Sequence, residues 1–156
     1  HWDGVYEWGT TALLPVLQLL GPDYRSKNCA VRWLDAEKQH DSFLKADFVY
    51  PHAVASIKAG TGVKSEGELV ISGTRGYVYV PAPWWKTDYF EIRYEDPNQN
   101  RRYFYQLDGE GIRYELVAFA KAVETGRQSY AVDPTCSAAI CRFMEDFRAG
   151  RDLIEI

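Results

Sequence analysis

Between Lys27 and Leu107 the chain is a succession of short strand-like stretches cut by turn residues. The candidate strands are Lys27–Leu34, Phe43–Tyr50, Ala53–Lys58, Glu66–Ser72, Gly76–Val80, Asp88–Glu95 and Arg101–Leu107. Val, Ile, Tyr, Phe and Trp enrich them, as strands require. Pro51-His52, Gly60-Thr61-Gly62, Gly73-Thr74-Arg75-Gly76 and Pro97-Asn98-Gln99-Asn100 divide them. A parallel pair needs a crossover of about a dozen residues, so connections this short dictate antiparallel neighbours. Along Asp88–Glu95, Tyr89, Glu91, Arg93 and Glu95 alternate with Phe90, Ile92 and Tyr94. That strand therefore has a wet face and a dry one.

Helical periodicity flanks this region. Thr10 to Leu20 is apolar on nearly all sides, which marks a buried helix, and Gly21-Pro22 stops it. Pro15 is compatible with it only near the first turn or at a kink. Gly111 to Thr125 carries Ile112, Leu116, Phe119 and Val123 on one stripe, and Gly126 ends it. Asp133-Pro134 opens the last helix, with Asp as cap and Pro at the first helical position. Its apolar face is Cys136, Ile140, Phe143, Met144 and Phe147, and Gly150 ends it. Leu153–Ile156 reads as a closing short strand. The sum is a single α+β domain over residues 1–156: an open, mostly antiparallel sheet with helices packed on one face. The other face is rich in aromatic residues and is expected to meet a partner chain.

Composition narrows the function. Lys plus Arg number 18 and Asp plus Glu 22, a net charge of −4. A mildly acidic domain is a poor binder of phosphate backbones, so no nucleic-acid partner is expected. The longest apolar stretch, Ala12–Leu20, contains Pro15 and Gln18 and falls short of the roughly 20 residues of a membrane span. No basic segment precedes an apolar one as in a signal peptide. Cys29, Cys136 and Cys141 have neither C-x-x-C spacing nor an even count. They read as three reduced cysteines in or near the core, which favours the cytoplasm. The chain begins with His1 rather than Met, and reads as a piece of something longer.

Few motifs carry chemistry. Gly109-Glu110-Gly111 looks like the start of a dinucleotide loop, but Tyr114 stands at the third glycine position and no βαβ unit follows. Gly60 to Gly67 lacks the phosphate-loop frame. His40 and His52 lie in polar or turn contexts and read as surface residues. Pro81-Ala82-Pro83-Trp84-Trp85-Lys86 reads equally well as a sugar-stacking or subunit-contact loop and as a loop packed over the sheet edge. The segment Gly4 to Leu14 has two readings as well. Thr10 or Thr11 caps the apolar helix, or Glu7 and Thr11 project from its start into a cleft with Trp8 beside them.

Three of these segments together resemble the Gfo/Idh/MocA oxidoreductases. Glu7-x-Gly9-x-Thr11 before a helix ending Leu19-Leu20-Gly21 resembles that family's Asp-x-Gly-x-His helix. Glu66 to Gly76 resembles its G-x-x-x-I-x-G-x-x-G hairpin. Gly109 to Gly126 resembles its G-x-x-Y-E-x-x-x-F helix. The resemblance implies a carboxy-terminal substrate-binding and oligomerisation domain, lacking an amino-terminal Rossmann domain. It implies a sugar, nucleotide sugar or cyclitol as substrate, NAD or NADP in the full-length protein, and a homodimer or homotetramer built through the sheet face. The family's Glu-Lys-Pro lysine lies outside this chain, so no catalytic residue and no cofactor-binding residue is assigned here. Glu7, Trp8, Thr11, Trp84 and Trp85 are the expected substrate-binding residues.

Two positions depart from the pattern. Glu7 stands at the usual Asp, one methylene longer, and Thr11 at the usual His. A threonine hydroxyl can hydrogen-bond a sugar but cannot shuttle a proton near neutral pH. The alternative expectation is therefore a degenerate member, a non-catalytic carbohydrate-binding or assembly module.

Overall fold

The computed structural model describes residues 4–109, 111–127 and 132–156. In chain order its elements are a π-helical turn Val5–Gly9, α1 (Thr10–Leu20), β1 (Ser26–Trp33), β2 (Asp41–Val49), β3 (Val54–Gly60), β4 (Leu69–Gly73), β5 (Gly76–Val80), β6 (Tyr89–Tyr94), β7 (Arg101–Phe104), α2 (Ile112–Thr125), α3 (Pro134–Arg148) and β8 (Leu153–Glu155). The fold is α+β, and both of its sheets are mostly antiparallel. The chain divides into two compact units, His1–Ser65 with Tyr130–Ile156, and Glu66–Ser129.

The first unit holds a four-stranded sheet in the order β3-β2-β1-β8. Strands β1 to β3 are antiparallel, and the short β8 runs parallel to β1. Register lines up the apolar positions across the strands: Cys29 faces Ala46 and Ala46 faces Ile57; Val31 faces Leu44 and Leu44 faces Ala59. All of these are buried. The period of two then puts Asn28, Asp47 and Ser56 on the opposite face. Helices α1 and α3 cover the apolar face with Leu13, Val16 and Leu17 from one and Ala139, Phe143 and Phe147 from the other. Phe48 meets Phe143 at 5.8 Å between ring centroids, and Trp33 meets Phe147 at 5.4 Å. Each such side chain contributes about 1.5–3 kcal/mol by leaving water.

The helix ends follow the sequence signals. Gly21 sits at φ 83°, and its N–H donates to the Leu17 carbonyl at 3.0 Å. Asp133 accepts the Thr135 N–H at 2.8 Å, with Pro134 at the first helical position. Lys27 points to the core side of β1 with a side chain only 5% exposed, and its ammonium lies 2.7 Å from both Asp146 and Asp152. It thereby ties β1 to the end of α3 and to the turn before β8. At the β1–β2 connection His40 Nδ1 lies 2.9 Å from Asp35, which also accepts the N–H groups of Gln39 and His40. The histidine that the sequence leaves unpaired thus closes a hairpin.

The second unit is an antiparallel meander, β4-β5-β6-β7. Its register puts Tyr79, Glu91 and Arg102 in one row and Val78, Ile92 and Arg101 in the next, so the alternating positions of Asp88–Glu95 lie on two faces, but β6 is half-buried throughout and neither face is the dry one expected. On the wet face Glu91 pairs with Arg93 at 2.6 Å and also with Arg102. The Arg93 guanidinium lies 4.5 Å from the Tyr79 ring centre. On the other face Phe90 stacks on Tyr103 at 5.0 Å.

Four details differ from the sequence pattern. It reads as one sheet, but the strands form two. The chain leaves the first sheet after β3 because the N–H groups of Thr61 and Gly62 turn back to the Ser42 carbonyl. Strand β4 starts at Leu69 rather than Glu66, and the Gly67 carbonyl is taken by Trp84 N–H instead. Helix α2 forms between Gly111 and Gly126, both left-handed, but it buries no described residue; Phe119 is 70% exposed. Among the described residues α1 and α3 cover a sheet face, and the face opposite them displays Asn28, Lys45, Asp47 and Lys58 rather than the aromatic residues expected there, because Trp33, Phe48 and Tyr50 turn into the core. Cys29 and Cys136 are buried as expected, whereas Cys141 is exposed on the far side of α3. Burial holds the Cys29 thiol protonated, its pKa pushed up to about 11.

The Lys27 cluster makes stability pH-dependent. Its hydrogen bond from Lys27 holds the Asp146 carboxyl below the ordinary range. A depressed carboxylate stabilises the fold above its unfolded pKa, near 3.9, and that contribution is lost as pH falls through the folded value. Burial alone would lower the Lys27 pKa, but its bonds to Asp146 and Asp152 raise it on balance. That share is present below about 10.4 and is lost only as pH rises beyond it. Lys27→Met should therefore lower the urea midpoint at pH 7, and the gap to wild type should narrow by pH 3. An equal gap at both pH values would contradict the assignment.

Candidate functional site

A helix leaves its first N–H groups without intrahelical partners, and something must satisfy them. Here neither Gly4, at the start of the π-turn, nor Gly9, at the start of α1, supplies a capping side chain. Thr10 and Thr11, one of which the sequence offers as cap, lie within α1 instead, because the π-turn extends the helix upstream. The cap comes from a distant strand. Both Asp41 carboxylate oxygens accept the Val5 N–H, at 3.2 and 3.1 Å, and Asp41 is 1% exposed. A carboxylate at this end also meets the positive end of the helix dipole.

Glycines make the approach possible. A Cβ on Gly4 would lie 2.5 Å from Asp41 Oδ2 and 2.9 Å from the Gly60 Cα. A Cβ on Gly60 would lie 2.6 Å from the Ser42 carbonyl oxygen. Further along the turn, Val5 and Gly9 are buried, and Gly9 faces Met144 of α3. The Arg148 guanidinium sits 5.6 Å from the Tyr6 ring centre.

This anchoring sets what the turn presents. Val5, Gly9 and Leu13 form the buried stripe. Glu7 and Thr11 are half-buried on the neighbouring flank, four residues apart and hence on one side of the helix. Neither makes a side-chain hydrogen bond or ion pair within the described residues. Trp8 is 40% exposed beside them. Pro15 adds a backbone group, since it lacks the N–H that would reach the Thr11 carbonyl four residues back. A carboxylate, a hydroxyl and an indole on one flank can accept from, donate to and stack on a polyhydroxylated ligand.

Trp84 and Trp85 belong to the other unit, so the expected site residues fall into two separate groups. The Ala82–Pro83 bond is cis, and a short 3₁₀ turn, Trp84–Lys86, follows. Trp84 N–H donates to the Gly67 carbonyl at 2.9 Å, and the two indoles meet edge-on at 6.1 Å. Trp84 is half-buried while Trp85 is 44% exposed.

The glycine segment before α2 does not fit a dinucleotide. Gly109 and Gly111 have φ of 69° and 85° and open the helix, while Glu110 lies outside the described residues. A dinucleotide loop joins a strand to a helix that returns to a parallel neighbour. The strand before this loop, β7, is antiparallel to β6, and among the described residues the parallel pair is β1–β8.

No protein-family model and no curated protein matches the chain. Solved structures do. KijD10, a 3-ketoreductase from Actinomadura kijaniata seen in complex with NADP, matches with a TM-score of 0.78 at 13% identity, over 99% of this chain and 49% of that one. YvaA from Bacillus subtilis, a candidate oxidoreductase, matches at 0.67 and 14% identity over 96% of this chain and 52% of that one. YPO2259 from Yersinia pestis, another candidate oxidoreductase, matches at 0.63 and 18% identity over 94% and 46%. The chain thus spans about half the length of the proteins whose fold it shares. The fold implied by the resemblance of the three sequence segments, an α+β domain about half the length of an oxidoreductase, is the fold these structures share with the chain.

The glycine socket is testable by itself. Gly4→Ala should cost about 1–3 kcal/mol by overpacking against Asp41 and Gly60, read as a lower urea midpoint. An unchanged midpoint would mean that the turn does not sit where its glycine allows.

Proposed function

We propose, on the premise of this shared fold, that the chain is the substrate-binding and oligomerisation domain of an NAD(P)-dependent oxidoreductase. Its substrate is a sugar, a nucleotide sugar or a cyclitol. The observation that carries this reading is the pair Glu7 and Thr11: polar, half-buried, side by side and without side-chain partners among the described residues. Such groups are desolvated in part and gain most from a ligand that hydrogen-bonds them. KijD10, which shares the fold, has been seen with TDP-benzene and NADP, which supports a nucleotide-sugar class. The residues 1–156 form one functional domain in this reading, and the dinucleotide is held by a Rossmann part outside them.

Within the domain, Glu7 accepts from substrate hydroxyls, Thr11 accepts or donates, and Trp8 flanks them. Trp84 and Trp85, which belong to the other unit, offer an aromatic ligand contact of their own. Thr11 cannot serve as a proton shuttle, so acid–base chemistry falls to a group beyond this chain. Identical copies associate through the sheet face opposite α1 and α3, where Asn28, Lys45, Asp47 and Lys58 are displayed. The protein works in the cytoplasm. No described helix is long and apolar enough to cross a membrane.

A second reading draws on Thr11 itself: a non-catalytic carbohydrate-binding module would need the hydroxyl but no imidazole. Steady-state kinetics of the full-length protein with dTDP-glucose and NADPH or NADP separates the two. Glu7→Gln should lower kcat/KM by about 10–100-fold, as loss of a charged hydrogen bond implies. Thr11→Ala should lower it by about 2–10-fold. Unchanged kinetics in both variants would remove them from the site. Saturable quenching of tryptophan fluorescence by dTDP-glucose, with no hydride transfer in either direction, would favour the binding module.

A further inference from the structure

We infer that Asp41 is the positioning residue of the candidate site: it sets the winding of the Val5–Gly9 turn and hence the placement of Glu7 relative to Thr11. The inference rests on the reading of those two residues as substrate-facing groups.

Three features of the fold converge on it. First, Asp41 is a carboxylate buried to 1% exposure, and both its oxygens accept the backbone N–H of Val5, 36 residues earlier in the chain. Charged groups are seldom buried this fully unless a specific partner needs them. Second, a register shift between Arg32 and Trp33 falls opposite Asp41. Irregularities of this kind re-aim a side chain, and here the re-aimed side chain meets the helix start. Third, Gly4 and Gly60 are the residues that let strand and turn approach, since a Cβ on Gly4 would collide with both Asp41 and Gly60.

The consequence for the site follows from helix geometry. A π-turn closes its hydrogen bonds five residues apart, an α-helix four apart. Π-turns are rare and persist where their surroundings impose them. If the Val5 N–H lost its anchor, the turn could rewind as α-helix. Glu7 would then move around the helix axis relative to Thr11, which lies beyond the turn in α1. Asp41 touches no substrate in this account; it acts through the turn.

The test uses the full-length protein and three variants. Asp41→Ala removes the acceptor. Asp41→Asn keeps one carbonyl oxygen for the Val5 N–H. Phe143→Leu weakens the same unit from the far side of its core and serves as a stability control. Amide hydrogen exchange across Val5–Thr11 is the first readout, and the Kd for dTDP-glucose is the second. In Asp41→Ala, exchange of Val5–Thr11 should rise by about tenfold or more while the β1–β2 amides change by less than about twofold. The Kd should rise by about tenfold. Asp41→Asn should restore both to within about threefold of wild type. Phe143→Leu should leave the Kd unchanged.

A rise in exchange spread evenly over the unit, an Asp41→Ala variant that does not fold, or a Kd that follows stability alike in Asp41→Ala and Phe143→Leu would each overturn the inference. So would failure of Asp41→Asn to rescue. Wild type that does not bind dTDP-glucose would count against the reading of Glu7 and Thr11, while the exchange pattern would still decide whether Asp41 holds the turn.

Discussion

Cys29, Val31, Leu44, Ala46, Phe48 and Ile57 point to one face of a twisted sheet, and that face has to be covered. Helices α1 and α3 cover it, and every other feature of the first unit follows from how they are held there. Lys27 fixes the end of α3 through Asp146 and Asp152. Asp41 fixes the start of the helix that continues as α1. Between these two electrostatic clamps the apolar contacts set the stability. The flank of the π-turn is left as the place where polar groups stand half out of water. Function is expected where the core ends and a desolvated polar pair begins.

Most of this architecture is legible in the sequence. The boundaries of α1, and the strand Gly76–Val80, coincide with the periodic segments. The reasons are local: Gly21 and Gly126 end their helices, Asp133-Pro134 opens α3, and alternation of apolar residues sets each strand's face. What is not legible is non-local. Nothing in the order of residues says that Thr61 and Gly62 fold back on Ser42 and so divide the strands between two sheets. Nor does the stripe Ile112, Leu116, Phe119 and Val123 announce that α2 leaves it uncovered; the periodicity is that of any amphipathic helix.

The site divides in the same way. Glu7, Trp8 and Thr11 can be placed together from their spacing alone, because residues four apart share a helix side. Asp41 cannot. In the sequence it is one acidic residue after His40 at the mouth of a strand, indistinguishable from turn chemistry. Its role appears only when β2 is set beside the helix start. The three structural matches described above have 13–18% identity, so what they carry over is the fold. The chemistry has to be argued from the residues, and there Thr11 matters most. A hydroxyl can hydrogen-bond a ligand but does not relay protons near neutral pH.

The central claim is that Glu7 and Thr11 together hold the hydroxyls of a sugar-type ligand. The most direct measurement is a crystal structure of the full-length protein with dTDP-glucose and NADP, read for the distances from the ligand hydroxyls to the Glu7 carboxylate and the Thr11 Oγ1. The account predicts both within hydrogen-bond reach, about 2.5–3.2 Å. A ligand seated elsewhere, with Glu7 and Thr11 touching none of its oxygens, would contradict it.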